Sequence, residues 1–315
     1  MTPQVIVLAG GTGDFGRYLT EALANSADYA VAILTRSSQP TPHPAHPKIT
    51  THQTDYTPAS LIQILNTTRA TALISIIRCA NDDYLLLHNN LLKACLASET
   101  CKRLIPSEWA GNTDDFPDLP RSYGLTRAPF RKILHSPVAE GIRWTCINHG
   151  WFMDYFLPEG KSYMKYIPGE FPIDPLTWTY HVKGTGEEPQ TWTCAQDVAA
   201  AVVILLGKGE WEPVTYVAGE WGTFNSAATL LERYYDRPFK REYRTLEQIY
   251  HDLEHSPTDS ASLNLSLAEL EECTVTGAVC CPREKTLRQR EEFFSGVRFL
   301  GLEEMLERAE KEGCI

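Results

Sequence analysis

The stretch that most constrains this chain lies within its first seventeen residues: an apolar run, a cluster of glycines and the start of a helical pattern. Val5, Ile6, Val7 and Leu8 follow one another without a polar residue, the texture of a parallel strand covered on both faces. Phe15, Leu19 and Leu23 then recur at helical spacing, so the hydrophobic period changes across the glycines. Between them Gly11-Thr-Gly13-Asp-Phe-Gly16 satisfies G-x-G-x-x-G, and Gly10, Gly13 and Gly16 also satisfy G-x-x-G-x-x-G. Glycines in this context permit a tight turn, let a pyrophosphate approach the backbone, and let a helix pack closely on a strand. The helix start then offers N–H groups and a positive dipole end to the phosphates. An ordinary glycine turn is the plain alternative. A P-loop is excluded, since it needs Lys and Ser or Thr after Gly16 and the chain has Arg17 and Tyr18. The turn reads as part of a dinucleotide site, with Gly10, Thr12, Gly13, Asp14, Phe15 and Gly16 as contact residues.

Cofactor choice rests on the end of the second strand, Tyr29-Ala-Val-Ala-Ile-Leu-Thr-Arg36. An NAD site carries an acid about 20 residues beyond the glycines to bond the ribose 2′-hydroxyl. Twenty positions after Gly16 stands Arg36, followed by Ser37. A guanidinium there binds a 2′-phosphate through two parallel bonds, so the expected cofactor is NADP(H). An exposed arginine at a strand end is the alternative. Further strands are expected over Lys48–Gln53, Thr71–Ile77, Arg103–Pro106 and Arg143–Asn148, with helices between them. Asp55-Tyr56 fall where adenine contacts are expected, and Ile77 and Arg78 lie at the end of the fourth strand. His43 and His46 sit in a Pro-rich loop without further ligands nearby, which argues against a metal. Strand and helix alternate without interruption, and the expected fold is α/β: a doubly wound parallel sheet (Rossmann) with a smaller C-terminal α+β substrate domain. The expected domains are 1–156, with the 193–206 helix packing back on it, and 157–315. Residues 158–192 carry many Pro, Gly, Trp and Tyr and little periodicity, the texture of a loop-rich cap.

Composition narrows the classes further. The net charge of −11 argues against a nucleic-acid surface, which needs clustered Lys and Arg. The longest apolar stretch, Val198 to Leu206, is too short for a membrane span. The first strand begins almost at once, leaving no signal peptide, and the nine scattered cysteines read as reduced thiols. A cytoplasmic protein acting on a small molecule is expected. The apolar helices of residues 226–310 are the place to look for pairing into a homo-oligomer.

Several of these stretches together resemble the NmrA-like and isoflavone-reductase-like group of atypical short-chain dehydrogenases. The matching pieces are Val7–Gly16, Leu34-Thr-Arg36, Arg103-Leu-Ile-Pro-Ser-Glu-Trp109, Gly150-Trp-Phe-Met-Asp-Tyr155, Trp192–Asp197 and Thr223-Phe-Asn225. The resemblance implies a Rossmann domain that binds NADP(H) and a smaller domain that closes the substrate pocket. It also implies reduction of aromatic or polyketide-like metabolites by hydride transfer, while other members are redox-sensing regulators. The chain departs from the pattern at one place. Catalytic members carry a lysine on the helix after the fifth strand, where counting back from Leu134 gives Arg127. The short-chain Tyr-x-x-x-Lys pair likewise reads Tyr123-Gly-Leu-Thr-Arg127. Arginine does not practically lose its proton, so Arg127 can bind the nicotinamide ribose or steady an oxyanion without donating a proton.

Another acid is then needed, and Tyr123, Glu108 and His149 are the candidates. Each has a plain reading beside the catalytic one. Glu108 can cap amides or pair with an arginine, Tyr123 can be a packed aromatic, and a lone histidine is often structural. His149, with an ordinary pKa near 6.5, would suit proton transfer. Trp109, Trp151, Phe152 and Tyr155 are candidates for an aromatic substrate wall, with ordinary core as the alternative. The functional expectation is an NADPH-dependent oxidoreductase acting on a bulky aromatic or heterocyclic secondary metabolite. Hydride would go to C=N or an activated C=C, with a coupled cyclisation or rearrangement without net redox as a variant. An NADP(H)-sensing regulator that binds a protein partner is the alternative from another class.

Overall fold

The computed structural model describes residues 2–36, 43, 45–79, 81–255 and 267–315. The chain divides into two compact units. One comprises Met1–Trp109, Gly124–Ile147 and Ala199–Thr215, the other Ala110–Tyr123, Asn148–Val198 and Tyr216–Ile315.

The first unit is built on β1 (Gln4–Ala9), α1 (Asp14–Asn25), β2 (Tyr29–Thr35), β3 (Ile49–Gln53), α2 (Pro58–Thr68), β4 (Ala70–Ser75), α3 (Asn81–Ala97), β5 (Arg103–Ile105) and β6 (Arg143–Trp144). The sheet order is β3-β2-β1-β4-β5-β6, and every neighbouring pair is parallel. This is the doubly wound order, and its direction reverses between β1 and β4, where the carboxyl ends of the strands leave a crevice. Ile6, Val7, Leu8, Ile33 and Ile74 are fully buried, as the unbroken apolar runs require of strands covered on both faces. Helix α2 starts on Thr57, whose hydroxyl accepts from the Ser60 amide, with Pro58 in the first turn where its missing N–H costs nothing. On one face of the sheet Val7, Leu34, Leu73 and Leu104 pack with Leu61, Tyr84, Leu91 and Phe130 into one core cluster.

One strand ends earlier than the sequence suggests. Arg143–Trp144 alone joins the sheet, pairing with Arg103 and Leu104. The Thr145 amide still reaches the Leu104 carbonyl at 3.4 Å, but the Cys146 amide donates to the Pro213 carbonyl instead. Trp144 and Cys146 on either side are both apolar, so periodicity alone cannot show the change of partner.

The second unit holds two three-stranded sheets. In one, Thr179–Lys183 lies between Ile173–Asp174 and Lys240–Arg244; in the other, Gln190–Thr193 lies between Trp151–Phe152 and Glu220–Gly222. Three of these strands fall in the stretch that reads as loop in the sequence. All four residues of Gln190–Thr193 are buried, so no polar–apolar alternation marks it. The core here is rich in rings: Phe156, Phe171, Trp192 and Phe224 pack mutually at centroid distances of 4.9 to 6.3 Å. The Lys183–Glu271 pair is buried, and Arg244 joins Glu271 and Asp252 at 2.7 Å each. Among the described residues no helix is long and apolar enough to cross a membrane.

Candidate functional site

The glycine turn joins β1 to α1, and its three spaced glycines sit in different surroundings. Gly10 has φ +92°, a region side chains avoid, and a Cβ there would lie 3.0 Å from the Ile76 carbonyl carbon. At Gly16 a Cβ would lie 2.4 Å from the Gly10 oxygen and 2.7 Å from the Gly11 carbonyl carbon, so only glycine lets the helix return onto the turn. Gly13 differs. Its Cβ would meet just one neighbour within 4 Å, the Gly10 oxygen at 3.4 Å, which is ordinary contact. Packing alone does not demand glycine at that position, whereas close approach of a ligand to the backbone does. Gly13 is also the N-cap of α1, where no side chain caps the first amides. Thr12 and Gly13 are exposed, Asp14 is half-buried, and Phe15 is buried beneath the turn.

At the carboxyl end of β2, Arg36 is exposed and its guanidinium lies over the Tyr56 ring, 5.3 Å from the centroid. Tyr56 has φ +61°, and burial pushes its hydroxyl up to about 12, so it is a neutral platform. Asp55 beside it is exposed, with its carboxylate accepting from the Thr57 amide at 2.9 Å and the Thr57 hydroxyl at 2.8 Å. Those bonds hold the Asp55 carboxyl below its usual range. A ring nitrogen of His43 lies 2.9 Å from the Gly11 carbonyl oxygen, which brings that histidine to the glycine turn. Ser37 lies outside the described residues.

Beyond β4, Ile76 and Ile77 border Gly10, and Arg78 is exposed. The side chain of Trp109 donates to the Ser75 carbonyl at 3.0 Å, and its ring meets Phe15 edge-on at 4.9 Å. The structure thus places Trp109 beside the glycine turn. Glu108, 1% exposed, is paired with Arg131 and accepts from the Cys146 thiol at 3.3 Å, so both carboxylate oxygens are engaged. Arg127 opens the helix Arg127–Leu134 and is buried. Its guanidinium donates to the Thr126 hydroxyl at 3.1 Å and the Cys79 carbonyl at 3.4 Å, and stacks 4.2 Å from the centre of the Tyr84 ring. Thr126 stands at the expected N-cap, but its side chain makes no cap bond.

The remaining candidates belong to the second unit. Tyr123 is half-buried on the turn Ser122–Leu125, and the helical run breaks at Thr126, with φ −126° and ψ −71°. Tyr123 and Arg127 therefore do not share the face of one continuous helix, as a Tyr-x-x-x-Lys arrangement would require. His149 is 2% exposed, and its ring lies 4.1 Å from that of Phe152. Burial pulls its pKa down to about 3, which corrects the ordinary value expected from sequence: the imidazole is neutral at pH 7. Neither of its ring nitrogens has a hydrogen-bond partner among the described residues. Trp151 donates to the Gln190 side chain at 3.2 Å and meets Phe171 edge-on, and Tyr155 packs on both Phe152 and Phe171. Trp151, Phe152 and Tyr155 do gather around Phe171 and His149, and all three remain half-buried.

Sequence reasoning placed Asp55-Tyr56 near the adenine but not the Tyr56 ring under Arg36, and it missed Tyr84 and His88. The last two share the Arg127 cluster, and their i, i+4 spacing on α3 was the available signal, although it does not separate a cluster from ordinary core.

The model of the NmrA-like family matches residues 2–280. A protein of Arthroderma benhamiae named oxidoreductase swnR is 32% identical over 302 residues, covering 95% of this chain and 96% of that protein. Among solved structures, the binary complex of leucoanthocyanidin reductase with NADPH from Vitis vinifera superposes with a TM-score of 0.71 at 14% identity, covering 98% of this chain and 100% of that one. Isoflavone reductase gives 0.71 at 18% identity, with 98% and 99% covered. At such identities the structural likeness is one of fold.

Proposed function

The chain belongs to the NmrA-like family, and from that premise we propose that it is an NADP(H)-dependent oxidoreductase of the isoflavone-reductase-like type. Its substrate would be a bulky aromatic or heterocyclic secondary metabolite. The observation that carries the reading is Gly13, a glycine that its own protein neighbours do not require and that a pyrophosphate against the backbone would. The name of the swnR relative and the NADPH in the leucoanthocyanidin reductase complex support the same reading.

The backbone of Gly10 to Gly16 would cradle the pyrophosphate. Arg36 on Tyr56 would hold the 2′-phosphate, with Ser37 beside it, and Asp55, Ile77 and Arg78 would border the adenosine and nicotinamide ends. When bound, NADPH supplies a hydride. Arg127, permanently charged and already fixed by Thr126, Cys79 and Tyr84, would bind the nicotinamide ribose or steady negative charge developing on the substrate. It cannot act as the proton donor, which favours hydride acceptors such as C=N or an activated C=C, either alone or within a cyclisation or rearrangement without net redox. Where a proton is needed, Tyr123 is the remaining candidate, because Glu108 is committed to Arg131 and His149 is neutral. Trp151, Phe152 and Tyr155 would form the apolar wall for the substrate's rings, with His149 giving one neutral hydrogen bond. Residues 157–315 would complete substrate recognition.

The test is titration with NADPH and NADH, followed by mass spectrometry of candidate imines and enones incubated with deuterated NADPH. Preferential NADPH binding with deuterium in a product supports the enzyme. Tight binding without turnover would favour a nucleotide-sensing regulator, the reading to which the arginine at position 127 lends itself.

A further inference from the structure

The Arg127 guanidinium rests on a platform that no polar pattern in the sequence announces. Tyr84, on α3, is fully buried. Its ring lies 3.9 Å from that of His88 at an interplanar angle of 21°, and 4.2 Å from Cζ of Arg127. Two groups this close to one ring centre cannot share a face without overlapping, so they occupy its two sides. The stack runs guanidinium, phenol, imidazole.

The imidazole is locked. The Ser107 amide donates to His88 Nε2 at 3.1 Å, so that nitrogen is the acceptor, and Nδ1 therefore carries the proton it donates to the Tyr84 carbonyl at 2.9 Å. Phe130 closes the edges of both rings, 6.2 Å from Tyr84 and 5.4 Å from His88. Ser107 lies two residues past the end of β5, so the platform is tied to the end of the sheet where ligands of such folds sit. A neutral imidazole behind the phenol leaves the electron-rich face to the cation, and a charged one would repel it.

We propose that Tyr84 is a positioning residue for the nucleotide's nicotinamide half, holding Arg127 by its π-face at the place where catalytic relatives of this fold carry lysine. A lysine would not gain from such a platform as arginine does, because the guanidinium is planar and stacks while an ammonium is a compact, strongly hydrated charge. The proposal rests on the reading of Arg127 as a contact to the nicotinamide ribose. It separates the two halves of the nucleotide, since the adenosine half would be held by Arg36 and the glycine turn without Arg127.

The experiment compares NADPH with adenosine 2′,5′-bisphosphate, which lacks the nicotinamide riboside, on wild type, Tyr84→Phe, Tyr84→Leu, Arg127→Lys and the double variant Tyr84→Leu/Arg127→Lys. The expectation for Tyr84→Leu and Arg127→Lys is NADPH binding about tenfold weaker with the bisphosphate unchanged. Tyr84→Phe should keep both affinities within about twofold, because the ring face survives. The double variant should be no weaker than the worse single one, since both remove the same contact. Unchanged NADPH affinity in Tyr84→Leu, or Tyr84→Phe as weak as Tyr84→Leu, or an additive double variant overturns the proposal. Should Tyr84→Leu fail to fold, which loss of bisphosphate binding would reveal, Arg127→Lys decides alone: an unchanged ratio of the two affinities sinks the platform. Wild type that binds neither probe would instead bring down the NADP(H) reading itself.

Discussion

The glycine turn and the segment from His149 to Phe156 both leave the carboxyl end of a strand, yet they are specified in opposite ways. In the turn the backbone does the work, and the side chains are defined by what must be missing. Around His149 the rings do the work, and the backbone is ordinary apart from Gly150, whose φ is +74° and whose Cβ would strike the Thr191 oxygen at 2.1 Å. The glycine turn is closed to side chains at Gly10 and Gly16, whereas a ring cluster can be rebuilt from other rings of similar volume. The difference teaches where binding specificity is fixed by the fold and where it is open to change.

The sharpest way to break the comparison is alanine at two of the spaced glycines. Gly16→Ala places a Cβ 2.4 Å from the Gly10 oxygen, backbone that cannot step aside, and should lower the unfolding free energy by about 3 kcal/mol. Gly13→Ala meets only an ordinary contact and should leave the unfolding free energy, read from urea titration, within about 0.5 kcal/mol of wild type while weakening NADPH at least about tenfold. NADPH binding by Gly13→Ala at wild-type strength would show that the turn is not the cradle.

Acid probes both units together. Burial pulls His88 and His149 down to about 3 from an ordinary 6.5, so between those values the unfolded chain takes up protons that the folded chain refuses. The stability is fully present above pH 6.5 and is lost as pH falls, by up to about 1.4 kcal/mol per pH unit for each histidine. Asp197, pushed up to about 6 by burial, works in the opposite direction as pH falls below 6 and offsets one of them. The net expectation is a loss of about 1.4 kcal/mol per unit between pH 6 and 4, read from urea unfolding at each pH. A flat profile would mean that at least one of the two imidazoles is open to water.

At Arg36 the effect is confined to one ligand. Arg36→Ala should weaken NADPH by roughly 10- to 100-fold, the worth of one charge-assisted contact, and leave NADH unchanged in calorimetric titrations. Equal losses for both nucleotides would mean that Arg36 serves the fold rather than the 2′-phosphate.

How much of this was legible in the chain follows from the same contrast. The doubly wound parallel sheet and the glycine turn could be read because unbroken apolar runs and obligatory glycines have few alternative explanations. The break at Thr145 left no trace, since the residues on either side are apolar whichever partner they pair with. The strands of the second unit hid for a related reason: Gln190–Thr193 is buried on every residue and lacks the alternation that betrays a half-buried strand. For the site, the type and position of Arg127 were visible and its platform was not. Tyr84 and His88 look like any i, i+4 pair on a buried helix until Ser107 and Arg127 are placed beside them. The pKa of His149 was misjudged because burial belongs to the fold and cannot be read from the residue.

His149 offers the smallest effect and the most direct test of the ring cluster. Its main chain is already secured, with the amide donating to the Ala110 carbonyl at 2.8 Å and the carbonyl accepting from the Thr193 hydroxyl at 2.7 Å. The ring therefore contributes packing against Phe152 and two polar atoms without partners among the described residues, and such atoms lose their hydration on folding without recompense. Phenylalanine keeps the stack and removes both polar atoms. His149→Phe should raise the unfolding free energy at pH 7 by roughly 1 kcal/mol, and the gain should widen as pH falls, because one of the two acid-sensitive imidazoles is gone. If the histidine is kept for a substrate, the stabilised variant should form deuterated product more slowly at unchanged NADPH affinity. A variant that is less stable than wild type would mean that the ring nitrogens are bonded after all, and His149 would then belong to the framework instead of the substrate wall.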